Sequence, residues 1–190
     1  MGSFYTSHTV RGPSQQTLLA HMNQRRAFVS REEGGNVTVL DEATECQDPQ
    51  VLGALGQSLS ACFACPVLAV LNHDDSFLYL ELYENGEKTD QYNSDPAAFS
   101  DEDGDEDGFG VPEGGDAARL CAAFGAADVA AVAQVEAVLR DASFMLAVER
   151  HERLAEALGL PAFSVGLGFT YAEADDGVPE NCFLPSAGVA

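Results

Sequence analysis

Residues 67–93 read VLAVLNHDDSFLYLELYENGEKTDQYN, and the fold class depends on how this run divides. Val67 to His73 is continuous and apolar enough for a buried strand, and NHDDS, residues 72–76, has the composition of a tight turn. A second strand over Phe77 to Tyr83 then turns at Asn85-Gly86 into a further extended segment.

Upstream, Phe4 to Val10 is a strand candidate closed by Gly12-Pro13. Ser14 stands where an N-cap belongs, and Leu18, Leu19 and Met22 share one face of the helix that follows it. AFVSRE and NVTVLDE flank a Glu33-Gly34-Gly35 turn and predict a hairpin. Asp48 caps a second helix with Pro49 in its first turn, and Val51, Leu52, Leu55 and Leu59 give it an apolar stripe as far as about Phe63. The resulting order β-α-β-β-α-β-β predicts an α+β fold, a ferredoxin-like βαββαβ sandwich with an added hairpin.

Along Phe77–Tyr83, Leu78, Leu80 and Leu82 alternate with Phe77, Tyr79, Glu81 and Tyr83, so both faces of the strand need a cover. If the two helices cover the leucines, the aromatic face needs the C-terminal half of the chain, a subunit or a ligand. The C-terminal half, the rest of the chain after the acidic stretch, is the expected cover. That remainder reads as a helical half. Asp116 caps AARLCAAFG and Asp128 caps VAAVAQVEAVLR, while Phe144, Ala147, Val148, His151, Leu154, Ala155 and Leu158 line a third helix that ends at Gly159. A last strand, FSVGLGFTYAEA, and a loosely ordered Gly-Pro-rich tail complete the expectation. The organisation is residues 1–98 as the α+β half, 99–116 as an acidic linker, and 117–190 as a helical half packed on the first.

The chain carries 31 acidic and nine basic residues, for a net charge of −22. Eight of those acids lie in DEDGDEDGFGVPEGGD, residues 101–116, and without them the remainder is still strongly acidic. Such a field repels phosphate backbones and anionic membranes and attracts basic protein surfaces, so the expected partner is a basic protein and not nucleic acid or membrane. A high-salt habitat produces the same balance. No apolar run approaches the roughly 20 residues that span a bilayer, and MGSFYTSHTVRG lacks the order of a signal peptide. The five cysteines, an odd number without framework spacing, fit reduced thiols, and the expected compartment is the cytoplasm.

Motifs for chemistry are sparse. Cys62-Phe63-Ala64-Cys65 lies at a helix end, where the dipole raises a thiol pKa, and no second cysteine pair completes a zinc site. Glu149-Arg150-His151-Glu152 begins like a zinc-protease helix, but Ala155 stands where the second histidine belongs. His151 therefore reads as a hydrogen-bonded core histidine, and Glu149 with Arg153 as a helix-surface pair. Gly166-Leu167-Gly168 lacks a third glycine, and neither a phosphate-binding loop nor a nucleophile elbow occurs. His73, Asp74 and Asp75 at a strand end are the candidates for a general base or metal ligands of a small metal-assisted hydrolase, with Glu81 as a further group. In the acidic stretch, Asp103, Asp105 and Asp107 with Gly108 match the first half of a calcium-binding loop. Gly114 occupies the position that requires a bidentate Glu, so Glu113 or Asp116 would have to close such a site. The expectation is an acidic linker and no cofactor, with calcium at these residues as the alternative.

RGPSQQ, CPVLAVLNHDD, GGDAARLCAAFG and RHERLAEALGLP resemble phrases of uncharacterised bacterial proteins of about this size, and the resemblance spans most of the chain. It implies a bacterial, cytoplasmic protein of a single family and brings no activity or catalytic residue with it. The function expected from the residues is a non-enzymatic acidic binding protein of the inhibitor, immunity or regulatory type.

Overall fold

The computed structural model describes residues 2–99, 111–174, 178–179 and 182–189. The described residues form an α+β fold with an eight-stranded antiparallel sheet and six α-helices. The strands are β1 (Tyr5–Arg11), β2 (Ala27–Ser30), β3 (Asn36–Asp41), β4 (Val67–His73), β5 (Phe77–Glu84), β6 (Glu87–Asn93), β7 (Glu113–Gly114) and β8 (Phe183–Pro185). Their order across the sheet is β7-β6-β5-β4-β1-β3-β2-β8. Both edge strands are very short, two residues in β7 and three in β8.

The central hairpins follow from local chemistry. Asp74 and Asp75 join β4 to β5 with φ of 53° and 54°, and Asn85-Gly86 joins β5 to β6 with φ of 53° and 82°. Positive φ at both central residues matches the twist of the flanking strands, and Asp, Asn and Gly tolerate it better than other residues.

Helix α1 (Gln15–His21), capped by the Ser14 side chain, and α2 (Pro49–Phe63), capped by Asp48, both pack on one face of the sheet. There Leu18, Met22, Leu52, Leu55 and Leu59 join Val10, Val29, Val37, Val39, Ala69 and Leu71 in one apolar core. The opposite face is covered by α3 (Ala117–Phe124), α4 (Val129–Arg140) and α5 (Ala147–Leu158), which bury Leu120, Val135, Leu139 and Leu154 against Leu68, Val70, Leu80 and Tyr92.

The two faces of β5 are covered in the reverse of the expected sense. Leu78, Leu80 and Leu82 lie under the C-terminal helices, whereas Phe77, Tyr79 and Tyr83 lie in the core beneath α2. Two glycines of α2 explain the assignment: a Cβ at Gly53 would lie 2.6 Å from the Tyr83 hydroxyl, and one at Gly56 would lie 2.9 Å from the Tyr83 ring. The helix face that lacks side chains receives the bulky strand face.

The strand expected over residues 163–174 does not form. Ala162–Ser164 is a short 3-10 turn and Phe169–Glu173 is helix α6. Phe163, Leu167 and Phe169 form a separate small core with Leu40 and Cys182. The Glu45 carboxylate accepts from the Phe169 backbone N–H (2.9 Å) and the Thr170 hydroxyl (3.1 Å), stabilising the start of α6 from outside the segment. Within the tail, β8 pairs with β2, and the Ser186 backbone N–H donates to the Ala27 carbonyl, so its described residues are held in place. Glu113–Gly114, in the expected linker, extends the sheet by pairing with β6.

Candidate functional site

His73, Asp74 and Asp75 occupy the β4–β5 turn, and their bonds secure the chain. The Ser76 backbone N–H donates to the His73 carbonyl at 2.9 Å. Asp75 Oδ2 accepts from the Ser3 N–H at 2.8 Å, Asp75 Oδ1 from the Asn72 amide at 2.9 Å, and Asp74 Oδ1 from the Gly2 N–H at 3.1 Å. The Asp75 carbonyl accepts from the Ala147 N–H at 2.8 Å. The turn thus ties the start of the chain and the start of α5 to the same point. The His73 ring packs edge-on to Phe4 and stacked on Phe77. Glu81 pairs with Ala69, four residues along the strand from His73 and so roughly 13 Å away, and does not join this group.

Asp103, Asp105 and Asp107 lie outside the described residues. Glu113 is exposed in β7 opposite Asn93, and Asp116 caps α3 by accepting from the Arg119 N–H at 3.0 Å. Among the described residues no group of three or more His, Cys, Asp and Glu side chains is placed to hold a metal ion. Cys62 and Cys65 lie at the C-terminal end of α2 on either side of Ala64, which takes a left-handed conformation. Burial, with Cys62 as a lesser influence, pushes the Cys65 thiol up to about 11.

His151 is a buried histidine, as its place on the apolar stripe predicts. It shares a 2.8 Å hydrogen bond with the Tyr5 hydroxyl, and burial pushes its pKa down to about 3. The neighbouring Arg150, also buried, donates to the Val138 carbonyl (2.7 Å) and the Asp141 carbonyl (2.6 Å) at the end of α4, with its guanidinium over the Phe144 ring. The residues therefore bind α5 to α4 and to the sheet. Arg153 pairs with Glu156 at 3.5 Å and not with Glu149 as expected.

Two features emerge only in three dimensions. The first is a polar cluster on β5. Glu81, 4% exposed, accepts from the Tyr79 hydroxyl (2.8 Å), the Tyr83 hydroxyl (2.7 Å) and the Lys88 ammonium (2.9 Å). Burial is the main cause, and the bond to Glu81 the second, that holds both tyrosines above their ordinary pKa. The alternation in YLELY was a usable signal for a shared face, but the glycines that admit the carboxylate lie on another element.

The second is a cleft of about 710 Å³ between α5 and the segment 159–166. Val148, Ala155, Leu160, Ala162 and Val165 line it, and Glu33, Glu152 and Glu156 stand around it. Glu33 arrives from the β2–β3 turn, so no single segment of the sequence discloses the arrangement.

No helix among the described residues is long and apolar enough to cross a membrane. No protein-family model, curated protein or solved structure matches this chain.

Proposed function

We propose that the protein is a non-enzymatic interaction protein, of the inhibitor, immunity or regulatory type, whose acidic surface meets a basic protein partner. The observation that carries this reading is the fate of the nine basic side chains. Seven are paired with carboxylates of the same chain: Arg25, Arg26, Arg31, Lys88, Arg119, Arg140 and Arg153. The other two, Arg11 and Arg150, donate to backbone carbonyls at the ends of α3 and α4. Each basic group thus has a partner within the chain, and in a sequence of 31 acids against nine bases Glu32, Glu87, Glu113, Glu149 and Glu152 stand exposed among the described residues. Such a surface accelerates encounter with a basic partner and rejects polyanions.

Capture of partners from a native extract on the immobilised full chain, eluted across a salt gradient, tests the reading. Basic proteins released as ionic strength rises are the expected result; neutral or acidic partners whose retention is indifferent to salt would overturn it.

A ferredoxin-like arrangement of the first four strands is the architectural part of the proposal. Its support is the order β4-β1-β3-β2, antiparallel throughout, with α1 and α2 on one face and the β5–β6 hairpin added beside β4.

A further inference from the structure

The cleft between α5 and residues 159–166 has a chemistry that specifies an occupant. Its lining is apolar and small, with Ala155, Ala162, Val148 and Val165 facing a volume of about 710 Å³. Gly159 and Gly166 sharpen the recess: a Cβ at either would meet nothing within 4 Å. Small walls around open space leave room for one large apolar side chain.

The surroundings are anionic. Glu152 and Glu156 are one turn apart on α5, and Glu33 stands on the β2–β3 turn. Glu33 and Glu156 have only exposed pairs, with Arg31 at 3.6 Å and Arg153 at 3.5 Å, and Glu152 has no ion pair among the described residues. Exposed pairs of this kind exchange readily for a better donor. The cleft runs along α5 from Val148 to past the C-terminal end of the helix, where the helix dipole favours a cation.

The wall is preorganised. Arg150 fastens the far side of α5 to α4 and His151 fastens the helix to Tyr5, while Val148 and Val165 pack against the main core from within the cleft. An occupant therefore meets a surface that needs little reordering to receive it.

We propose that this cleft takes a short segment of a basic partner, in which one bulky apolar side chain seats against Ala155, Ala162 and Val165 while flanking arginines engage Glu33, Glu152 and Glu156. The inference rests on the reading of the protein as a binder of basic partners and adds where and by what chemistry the partner is held. A second copy of this chain would bring acids against acids, and anionic lipid is repelled by the same charges.

The test titrates the isotope-labelled full chain with the blocked peptide GRRFRRG, followed by NMR and calorimetry. Binding is expected to shift the amides of Val148, Ala155, Ala162 and Val165, and to weaken about tenfold for GRRARRG. The exposed Ala162→Trp substitution fills the recess and is expected to abolish the distinction between the two peptides. Glu152→Lys with Glu156→Lys is expected to weaken GRRFRRG by at least about tenfold, whereas Glu87→Lys with Glu136→Lys, an equal charge change away from the cleft, leaves it within about twofold. Equal affinity for GRRFRRG and GRRARRG, or shifts scattered over the acidic surface, would overturn the cleft while leaving the basic-partner reading intact. Failure of both peptides to bind at low salt would remove that reading as well. Self-association on concentration, with the cleft amides shifting in the absence of peptide, would assign the cleft to a second copy and overturn the proposal.

Discussion

The Glu81 carboxylate occupies the space that a side chain on Gly53 would need: a Cβ there would lie 2.6 Å from Glu81 Oε2. The absence of a side chain on α2 and the presence of a buried charge on β5 are therefore one feature of the packing.

Gly53→Ala tests that relationship directly. Alanine gains about 1 kcal/mol of helix propensity over glycine, but forcing an atom into this contact costs about 1–3 kcal/mol and disturbs the Glu81 bonds. With about 1 kcal/mol more for a weakened Glu81 hydrogen bond, the expected net result is a loss of about 1–3 kcal/mol in urea-induced unfolding. Equal or raised stability would show that α2 can move away without penalty.

Glu81 and Lys88 should differ in what their removal costs. Glu81→Ala leaves the hydroxyls of Tyr79 and Tyr83 without their buried acceptor, and a loss of about 2–4 kcal/mol is expected. Lys88→Ala removes the cation but leaves the buried Glu81 carboxylate held by both tyrosine hydroxyls, and because the lysine side chain is 44% exposed a smaller loss of about 1–2 kcal/mol is expected. Denaturant midpoints of the two variants, compared at neutral pH, check the ranking.

Acid should destabilise the fold through its buried histidines. Burial holds His151 down to about 3, and burial also lowers the pKa of His8, outweighing the opposing bond from its Nε2–H to the Leu52 carbonyl. His151 is neutral in the folded chain, whereas the unfolded chain takes up a proton there near pH 6.5. Its contribution is therefore complete above about pH 6.5 and is lost as pH falls toward 3, with a slope of about 1.4 kcal/mol per pH unit, and the lowered pKa of His8 acts in the same direction. Unfolding free energies measured from pH 7 down to 4 should show this slope, and His151→Leu should reduce it by one proton.

Thiol reactivity should separate the cysteines by burial. Cys46 and Cys62 are exposed, while Cys65, Cys121 and Cys182 are buried. A thiol-disulfide reagent at neutral pH is expected to titrate two of the five cysteines rapidly, and the other three only after unfolding. Fast reaction at Cys65 would show that the end of α2 opens readily.

Much of the architecture was legible because it rests on neighbouring residues. Ser14, Asp48, Asp116 and Asp128 each cap the helix they precede, since a side-chain oxygen reaches an N–H two or three positions along the same chain. The hairpin at Asn85-Gly86 declared itself through residues that accept positive φ. The segment 163–174 misled because its helix depends on Glu45, more than a hundred residues earlier, and local propensity carries no trace of such a partner.

The sequence by itself determined the α+β class, the order of elements through β6, the helix starts and the acidic character, all of which follow from short-range periodicity, capping chemistry and charge. Only the tertiary structure decided which helices cover which face of β5, because that choice depends on whether Gly53 and Gly56 meet Tyr83 and Glu81 across the core. It also decided that Glu33 joins Glu152 and Glu156 around one cleft and that every basic side chain has a partner within the molecule. These relationships join positions far apart in the chain, and distance along a chain places no limit on proximity once it folds.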